Sequence, residues 1–447
     1  MKTLPMNAEL RFQPYVQAIT SSEPIQVYGK ITEVIGLLIE STGPAASVGD
    51  VCLLEKGGIV TGRAEVVGFR QDRTLLMPLG SIEGIHPGLN VIGTKKPLMI
   101  GIGHGLTGRV LDGLGNPLDN KGPVNVDKYR SVFSAIPNPL LRKRISEPFQ
   151  TGIRAIDSLI TIGKGQRMGI FAGSGVGKSV LLGMMAKNCK SDINVIALIG
   201  ERGREVREFI ERDLGEEGLK RSVLVVATSD QPALIRLKGA MVAAAIAEFF
   251  RDLGKDVLFL VDSVTRLAQA QREIGLAIGE PPATKGYTPS VFSMLPKFLE
   301  RAGTSEQGAI TGLFTVLVDG DDMDEPIADA ARSILDGHIV LSRKLAHRNH
   351  FPAIDVLESI SRCMSDVIKD DHKKMSGYVK DYMAAYRENE DLIQIGAYAP
   401  GSSDRVDKSI KINDSLISFL RQDRNEKSTM ESSNAKVKEI LKVIGIK

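Results

Sequence analysis

Cysteine is scarce and scattered in this chain, with three residues among 447. Their wide separation excludes a disulfide framework and a cysteine-based zinc site, and favours free thiols in a reducing compartment. Neither sign of charge dominates, because 57 Lys and Arg face 54 Asp and Glu, for a net charge of +3. That balance provides no broad basic field and argues against wholesale, non-specific binding of nucleic acid.

Long apolar runs are also absent. The longest covers residues 240–247, far short of the ~20 residues that a membrane-spanning helix needs. The N-terminal stretch MKTLPMNAELRFQPYVQ has no apolar core like that of a signal peptide, so we expect a soluble protein that stays in the cytoplasm. The shares of hydrophobic residues, 43%, and charged residues, 25%, are ordinary for a folded globular chain. Its length favours roughly three domains.

The N-terminal part of the chain contains three segments with different sequence patterns. Residues 1–24 contain Pro5 and Pro14, which interrupt any single helix, and they are either a frayed terminus or a partner-binding segment. Residues 25–98 carry short β-type runs, such as VYGKITEVIGLLIE and RTLLMPLG, separated by Gly, Pro, Asp and Ser. This spacing predicts a small β-barrel or β-sandwich. Residues 99–145 are turn-rich and are interpreted as connecting material.

Apolar and helical stretches alternate from about residue 150 to residue 365. Runs such as MGIFA, NVIALIG and DVLFLVD are almost continuously hydrophobic, as expected for strands covered on both faces. The alternation predicts a doubly wound α/β domain with a parallel sheet, to which we assign residues 99–365. Residues 366–447 carry amphipathic, charged patterns typical of helices and are predicted to form a helical domain. Its last helix is expected after a polar stretch at 425–434.

The glycine-rich segment AGSGVGKS at 172–179 is the strongest functional signal. It follows MGIFA and opens the helical stretch KSVLLGMMAKN, which is the strand–loop–helix context of a phosphate-binding loop. Glycines let backbone N–H groups turn toward phosphate oxygens, and a helix N-terminus favours an anion. Ala172 replaces the first glycine of the strict pattern, and a chance glycine-rich turn is the alternative interpretation. The predicted nucleotide-binding residues of this segment are Gly173, Ser174, Gly175, Val176, Gly177, Lys178, Ser179 and Val180.

Carboxylates follow two of the predicted strands. Asp262 ends DVLFLVD, where a buried carboxylate needs a partner, and Mg²⁺ is that partner beside a phosphate-binding loop. Glu201 follows NVIALIG and could orient and deprotonate a water that attacks a phosphate. Arg202, next to it, could pair with carboxylates or phosphates. The alternatives are a turn residue for Asp262 and an ordinary charged helix start for Glu201.

Two further candidates lie near the end of the α/β domain. An arginine such as Arg362, in FPAIDVLESISR, could stabilise the charge of a phosphoryl-transfer transition state. Phe351 could stack on a nucleobase. In isolation, a structural ion pair for the arginine and ordinary packing for the phenylalanine are the simpler interpretations.

Together these segments resemble the hexameric, RecA-like ATPases of the rotary ATP synthase alpha/beta type, and most of all the ATPases of type III protein export. The resemblance covers nearly the whole chain and is carried by GRVLDGLGNPLD, IGERGREV, FLVDSVTR, GEPPATKGYTPSVF and SRKLAHRNHFPAIDVLESISR. It implies an N-terminal β-barrel, a central RecA-like P-loop NTPase domain with a parallel sheet, and a C-terminal helical domain.

The resemblance also implies ATP as substrate and Mg²⁺ as cofactor. Phe351 stands at the adenine-stacking position, where Tyr is more familiar. The residues that match the family's catalytic groups are Lys178, Glu201, Arg202 and Arg362, and those that match its Mg²⁺ ligands are Ser179 and Asp262. The synthase divides the catalytic carboxylate and the arginine between two subunits. One chain carries both here, so we expect a homohexamer.

The stretch DLIQIGAYAPGSSDRVDKSI resembles the flagellar branch of the export ATPases more than the virulence injectisome branch. The resemblance therefore implies an ATPase that promotes chaperone release, unfolding and export of flagellar subunits, with the injectisome ATPase as the alternative. It implies a stator-like regulatory partner at the N-terminus and a coiled-coil stalk with the export gate. Export chaperones and substrates are expected at the C-terminal domain. No nucleic acid is expected, and membrane association should be peripheral, at the inner face of the cytoplasmic membrane.

Two other functions are disfavoured by particular residues. A non-catalytic ring subunit of the synthase type would have an amide where this chain has Glu201. An RNA-translocating hexamer needs a basic, aromatic N-terminal domain. The predicted barrel has few aromatic residues, of which Phe69 is the clearest.

Overall fold

The computed structural model describes residues 27–446 except 135, 319 and 321, together with Phe12 and Tyr15. The chain divides into two compact units, Met1–Leu98 and Met99–Lys447. Apart from Phe12 and Tyr15, the predicted partner-binding segment 1–24 lies outside the described residues. In the described part of the chain, no helix is both long enough and apolar enough to cross a membrane.

The first unit contains a closed β-barrel, which confirms the prediction from the short β-type runs. Its strands pair antiparallel in the order β1-β2-β5-β4-β3-β6, and β1 closes the barrel against β6. Ile39, Leu76 and Val91 are fully buried in its core. Closure leaves no unpaired sheet edge. The strands are Tyr28–Ile35 (β1), Leu38–Thr42 (β2), Asp50–Lys56 (β3), Ile59–Arg70 (β4), Arg73–Pro78 (β5) and Asn90–Pro97 (β6).

The second unit is built on a largely parallel sheet. Its strands are Met99–Ile102 (β7), Val110–Asp112 (β8), Lys128–Ser131 (β9), Pro148–Phe149 (β10), Ile162–Gly163 (β11), Arg167–Ala172 (β12), Ile193–Ile199 (β13), Ser222–Ala227 (β14), Asp256–Asp262 (β15), Gly303–Thr304 (β16), Ala309–Leu317 (β17), Gly337–Leu341 (β18) and Ile354–Ser361 (β19). The sheet order is β19-β18-β12-β17-β15-β13-β14-β8, with β16 paired to β17. Along that path only the pairing of β18 with β19 is antiparallel. Every residue of β13 and β14 is buried, as their continuous apolar sequences predict.

Residues 99–145, interpreted above as connecting material, contribute strands instead. β7 pairs with β9, and β8 lies at the edge of the main sheet, where Leu111 pairs with Val225 of β14. Strands of three or four residues are too short for the alternation of apolar and polar residues to reveal them. Their pairing partners, which lie far away in sequence, decide their conformation.

Helices connect and cover these strands. In the described part of the second unit the α-helices are Arg154–Leu159, Lys178–Asn188, Gly203–Glu208, Gly215–Lys220, Ala233–Asp252, Val264–Ile278, Pro289–Leu299, Pro326–Ile334, Arg343–His347, Met364–Val367, Asp370–Gln394, Asp404–Leu420 and Met430–Lys442. Phe209–Leu214 continues Gly203–Glu208 as a π-helix. The last three helices pack on one another and on Arg154–Leu159, which attaches the predicted helical region to the sheet.

The last helix begins earlier than its sequence predicts. It starts at Met430, inside the polar stretch that was expected to precede it. Thr429 Oγ1 accepts a hydrogen bond from the Ser432 N–H at 3.2 Å, and Ser432 Oγ accepts one from the Thr429 N–H at 3.1 Å. This reciprocal capping satisfies backbone donors that the first turn leaves unpaired, so polar residues suit that turn. Val437 and Leu441, at 0% and 2% exposed, anchor the helix.

Replacing Thr429 with Ala should therefore loosen this helix selectively. Loss of a capping side chain costs about 1 kcal/mol of helix stability. We expect faster amide hydrogen exchange throughout Met430–Lys442, measured by mass spectrometry, with little change in the sheet. Ser402→Ala is the matched control, because the Ser402 hydroxyl makes no hydrogen bond with a described residue. Equal exchange in the two variants would contradict the capping role.

Candidate functional site

The glycine-rich segment forms the connection between β12 and the helix Lys178–Asn188. Gly175 and Gly177 have φ angles of 80° and 88°, a region that residues with a Cβ adopt at a cost. Gly177 is the residue immediately before the helix. The unpaired N–H groups of the first helical turn therefore face the loop, as an anion site requires.

The structure explains why Ala172 can replace the first glycine of the pattern. Ala172 is the last residue of β12, is 1% exposed, and pairs with Leu317 and Leu341 on the neighbouring strands. A residue in the extended conformation of a strand has no need of the conformational freedom of glycine. The turning positions begin only after it.

The predicted loop residues divide into exposed and anchoring groups. Ser174 and Ser179 are exposed. Val176 is 1% exposed and Val180 packs against the hydrophobic core. The two valines therefore hold the loop on the domain through their side chains, and only their backbone groups can face a ligand.

Three charged side chains from separate segments meet beside this loop. Lys178 Nζ forms an ion pair with Asp262 Oδ1 and lies 3.4 Å from Glu201 Oε1. The strands that precede the two carboxylates are parallel neighbours, with Leu198 paired to Asp262. Thr315 of β17, the next strand, donates a hydrogen bond to Asp262 Oδ1 at 2.7 Å. The predicted lysine and both predicted carboxylates are thus brought together.

Burial sets the protonation behaviour of this cluster. The ammonium group of Lys178 is disfavoured by desolvation, but the charges of Asp262 and Glu201 outweigh that cost and raise its pKa. Desolvation raises the pKa of Glu201 to about 7, and the nearby charge of Asp262 acts in the same direction, against Lys178. A carboxyl group that titrates near neutral pH is suited to exchange a proton with a bound water.

A second glutamate, which sequence analysis missed, contacts the first. The carboxyl groups of Glu205 and Glu201 share a hydrogen bond, which lowers the pKa of Glu205 and raises that of Glu201. Glu205 also accepts a hydrogen bond from the Arg202 backbone N–H. The sequence could have indicated this contact, because Glu205 follows Glu201 by four residues at the start of a helix, a spacing that can bring two side chains together. The contact of Thr315 with Asp262 could not be predicted from the sequence, because a threonine within an apolar strand has no feature that indicates a carboxylate partner.

Two other predicted residues, Arg202 and Phe351, lie outside the cluster of Lys178, Glu201 and Asp262. The Arg202 side chain is exposed at the start of the helix Gly203–Glu208 and makes no ion pair with another described residue. Phe351 lies beside the loop, since its Cδ1 atom is 3.3 Å from the point that a Cβ on Gly177 would occupy. Its side chain is 41% exposed, which leaves part of the ring accessible to a planar ligand.

Arg362 is held away from the loop of its own chain. β19 runs antiparallel to β18, so Ile354 pairs with Leu341 near the loop edge and Ser361 pairs with Gly337 at the opposite edge. The eight residues of β19 extend about 26 Å and separate Phe351 from Arg362. Arg362 is exposed, and its guanidinium makes no ion pair with a described residue.

The ligands available for a metal are few. The described residues contain no group of three or more His, Cys, Asp or Glu side chains that could hold a metal ion. Mg²⁺ typically takes only one or two protein ligands and completes its shell with water and phosphate oxygens. The Ser179 hydroxyl and the Asp262 carboxylate fit that chemistry, so this donor set suits an ion that arrives with a phosphate ligand.

Comparison with protein families agrees with this geometry. The nucleotide-binding domain of the ATP synthase alpha/beta family matches residues 152–361, and the beta-barrel domain of that family matches residues 31–95. The C-terminal domain of the type III secretion ATPase EscN matches residues 368–439. The predicted domain limits at residues 24, 98 and 365 remain predictions.

Individual relatives match almost end to end. The flagellum-specific ATP synthase of Bacillus subtilis (strain 168) is 54% identical, with 95% of this chain and 98% of the relative covered. The type 3 secretion system ATPase of Xanthomonas euvesicatoria is 49% identical, with 91% and 92% covered. The assembled ATPase EscN of the enteropathogenic E. coli type III secretion system superposes with a TM-score of 0.88 at 45% identity, with 92% of this chain and 100% of that structure covered.

The barrel, the parallel sheet and the loop with its lysine and carboxylates define a nucleotide-binding ATPase of the ATP synthase alpha/beta family, to which this chain belongs. Within that family it belongs with the flagellum-specific ATP synthases and type 3 secretion system ATPases.

Ionisation of Glu201 should reduce the stability of the nucleotide-free protein. The pKa of Glu201 rises from 4.5 to about 7 on folding, so wild-type stability falls as the pH passes from about 5 to 8. Glu201→Gln cannot ionise and should escape this loss, by on the order of 2 kcal/mol at pH 8. The melting temperature of the variant should exceed that of the wild type at pH 8 and equal it near pH 5.

Glu211→Gln is the control for this comparison, because Glu211 is exposed and paired with Arg207. It should shift the melting temperature little at either pH. A Glu201→Gln variant with no pH-dependent advantage would show that Glu201 is already ionised at neutral pH.

Proposed function

We propose that this protein is the ATPase of a flagellar protein-export apparatus. It hydrolyses Mg-ATP and promotes chaperone release, unfolding and export of flagellar subunits. The observation that carries the hydrolytic role is the meeting of Lys178, Glu201 and Asp262 beside the loop. The flagellar role is supported by the 54% identity to a flagellum-specific ATP synthase and by the IGAYAPGSSD stretch. The 49% identity to a type 3 secretion system ATPase makes an injectisome the alternative setting.

In the proposed mechanism the loop 173–177 holds the β- and γ-phosphates of ATP. Lys178 turns from the carboxylates toward the phosphates, which carry more negative charge. Ser179 and Asp262 would hold Mg²⁺, and the bound ion would supply positive charge beside the phosphate oxygens. Glu201 orients the attacking water and accepts its proton, because an ionised carboxyl group with a pKa near neutrality is an effective base.

Neighbouring residues complete the nucleotide site. Phe351 stacks on the adenine through the accessible part of its ring. Glu205 accepts a hydrogen bond from the protonated form of Glu201 and thereby stabilises Glu201 after it has taken the proton of the attacking water. Arg202 lies next to Glu201 with an exposed guanidinium that makes no ion pair with a described residue and can turn toward a phosphate.

Arg362 acts on the ATP of a neighbouring subunit. It lies at the sheet edge opposite to the loop, exposed and without an ion-pair partner among the described residues. A guanidinium in that position cannot reach a phosphate bound to its own chain, yet it can complete the site of the next copy. Six identical interfaces around a ring would then each pair one loop with one arginine. The relative EscN, which has been solved in assembled form, supports a homohexamer.

Other partners follow from the export role. EscN has also been solved in complex with its central stalk EscO, with a TM-score of 0.86 to this chain, and we assign a coiled-coil stalk to this protein as well. We further propose that a stator-like subunit binds the N-terminal segment. The export gate is proposed to be contacted together with the stalk. Export chaperones and substrates bind the helical C-terminal region. The ATPase then works in the cytoplasm, peripherally at the inner face of the membrane.

The flagellar role is tested with Glu201→Gln on the chromosome of the source organism. Without the proton acceptor, hydrolysis should slow by roughly 10²- to 10⁴-fold, while purified protein still binds ATP. We expect strongly reduced secretion of hook and filament proteins, measured in culture supernatants, with the membrane potential unchanged. Glu211→Gln should secrete normally. Normal flagellar secretion in the Glu201→Gln strain, with loss of virulence-effector secretion, would move the assignment to an injectisome.

The position of Arg362 predicts complementation between inactive chains. Lys178→Ala lacks an intact loop and Arg362→Ala lacks an intact arginine, so each homogeneous ring should be inactive. Mixed rings contain some interfaces that pair an intact loop with an intact arginine. ATP hydrolysis should therefore reappear on mixing and peak near equal amounts. Absence of recovery at every ratio, with mixed rings confirmed by native mass spectrometry, would place the action of Arg362 elsewhere.

A further inference from the structure

A groove lies between the helices Asp370–Gln394 and Met430–Lys442, and we call it the tail groove. Its volume is about 600 Å³. Half of it is built by the last helix, whose role the nucleotide site does not explain. The principal lining side chains are Lys374, Met375, Tyr378, Lys438, Leu441 and Lys442.

The floor of the tail groove is apolar. Met375 and Leu441 are 4% and 2% exposed, and they are held in place by packing between the two helices. Tyr378 stands at the rim with 45% of its surface exposed, which is high for a large aromatic side chain. A concave surface of this kind can receive apolar side chains from a partner.

The rim of the tail groove is basic. Lys374, Lys438 and Lys442 line it and are exposed, whereas Asp371 is the only acidic residue among the described residues that line it. None of the three lysines forms an ion pair with a carboxylate in the described part of the chain. By contrast, a partly exposed lysine of the intervening helix is paired, because Lys408 Nζ lies 2.7 Å from Asp404. Three exposed lysines and one aspartate line the same groove, so its net positive charge favours an anionic occupant.

We propose that the tail groove binds an acidic, amphipathic helix of a partner protein. Apolar side chains of such a helix would pack on Met375 and Leu441, while flanking Glu or Asp residues would pair with the lysines. The shape disfavours the other anionic surfaces. A bilayer is flat and cannot enter a concave groove, and single-stranded nucleic acid would need several aromatic stacking surfaces, of which the groove offers one.

This inference deepens the proposed function by giving the chemistry of a segment that the export ATPase would recognise. ATP hydrolysis and peptide binding are measured in separate experiments, so the proposed mechanism and the proposed peptide-binding groove can be rejected independently. Unchanged hydrolysis in Glu201→Gln would remove the proposed mechanism and leave the groove untouched. The peptide-binding measurement tests whether the groove binds a partner helix, whatever the rate of ATP hydrolysis.

The test uses the full-length protein and a fluorescein-labelled peptide with Leu at helical i, i+3, i+4 and i+7 positions and Glu on the remaining face. We expect saturable binding in the micromolar range by fluorescence anisotropy. Lys374→Glu, Lys438→Glu and Lys442→Glu should each weaken binding by roughly 3- to 10-fold, since each replaces an exposed attraction with a repulsion. A peptide of the same composition, with its Leu positions scrambled, should bind more weakly.

Lys436→Glu is the matched control. It lies on the same helix, is exposed and does not line the tail groove, yet it changes the net charge by the same amount. It should leave the affinity within roughly twofold, because distant surface charges are screened. Basal ATP hydrolysis should be unchanged in all four variants.

Three results would overturn the proposal. The first is the absence of saturable binding, and the second is an equal loss of affinity in Lys436→Glu, which would show general electrostatic attraction. The third is that the groove variants lose binding to phosphatidylglycerol vesicles or to poly(U) while peptide binding is unaffected. In that case the groove would serve a lipid or a nucleic acid instead.

Discussion

The parallel arrangement of β12, β17, β15 and β13 is the constraint on which the site depends. Four adjacent strands that run the same way end at one edge of the sheet, and there they deliver Lys178, Thr315, Asp262 and Glu201. Two carboxylates and one ammonium group share a largely buried space. None of them could remain charged there alone, because an unpaired buried ion loses its hydration without compensation.

The reversal of direction at β19 has the opposite effect and places the two ends of one segment at opposite edges of the sheet. Phe351 enters β19 from the edge where the loop lies, and Arg362 leaves it at the far edge. Both residues come from one short segment, yet the eight residues of β19 keep them about 26 Å apart. The proposed action of Arg362 on a neighbouring subunit rests on this separation.

The helical C-terminal region is joined to the sheet through the short helix Arg154–Leu159. The Arg154 N–H donates to Gln422 Oε1 at 2.9 Å, and the Gln422 side chain donates to the Gly152 carbonyl at 2.9 Å. His372 Nε2 donates to the Ser158 carbonyl at 2.8 Å. The His372 bond holds the helix Asp370–Gln394, one side of the tail groove, and the Gln422 bonds hold the connection that leads to the last helix, both against the segment before β12. The chain thus carries its candidate partner site and its nucleotide site on one connected framework.

The sequence alone determined what depends on local pattern. Continuous apolar runs predicted the buried strands, and the loop with its flanking strand and helix identified Lys178 and Ser179. Asp262 and Glu201 were recognised because each follows such a run. In these cases a residue's neighbours in the chain are also its neighbours in space, so the sequence pattern is sufficient to predict the local structure.

Tertiary structure alone decided everything that joins distant segments. The three-residue strand β8 exists only because β14 pairs with it. Thr315 and Glu205 became partners of the site through proximity to Asp262 and Glu201. The basic tail groove arose because two helices distant in sequence present their lysines to one space. A one-dimensional pattern records spacing along the backbone, whereas hydrogen bonds and charge interactions depend on distances that only the folded chain sets.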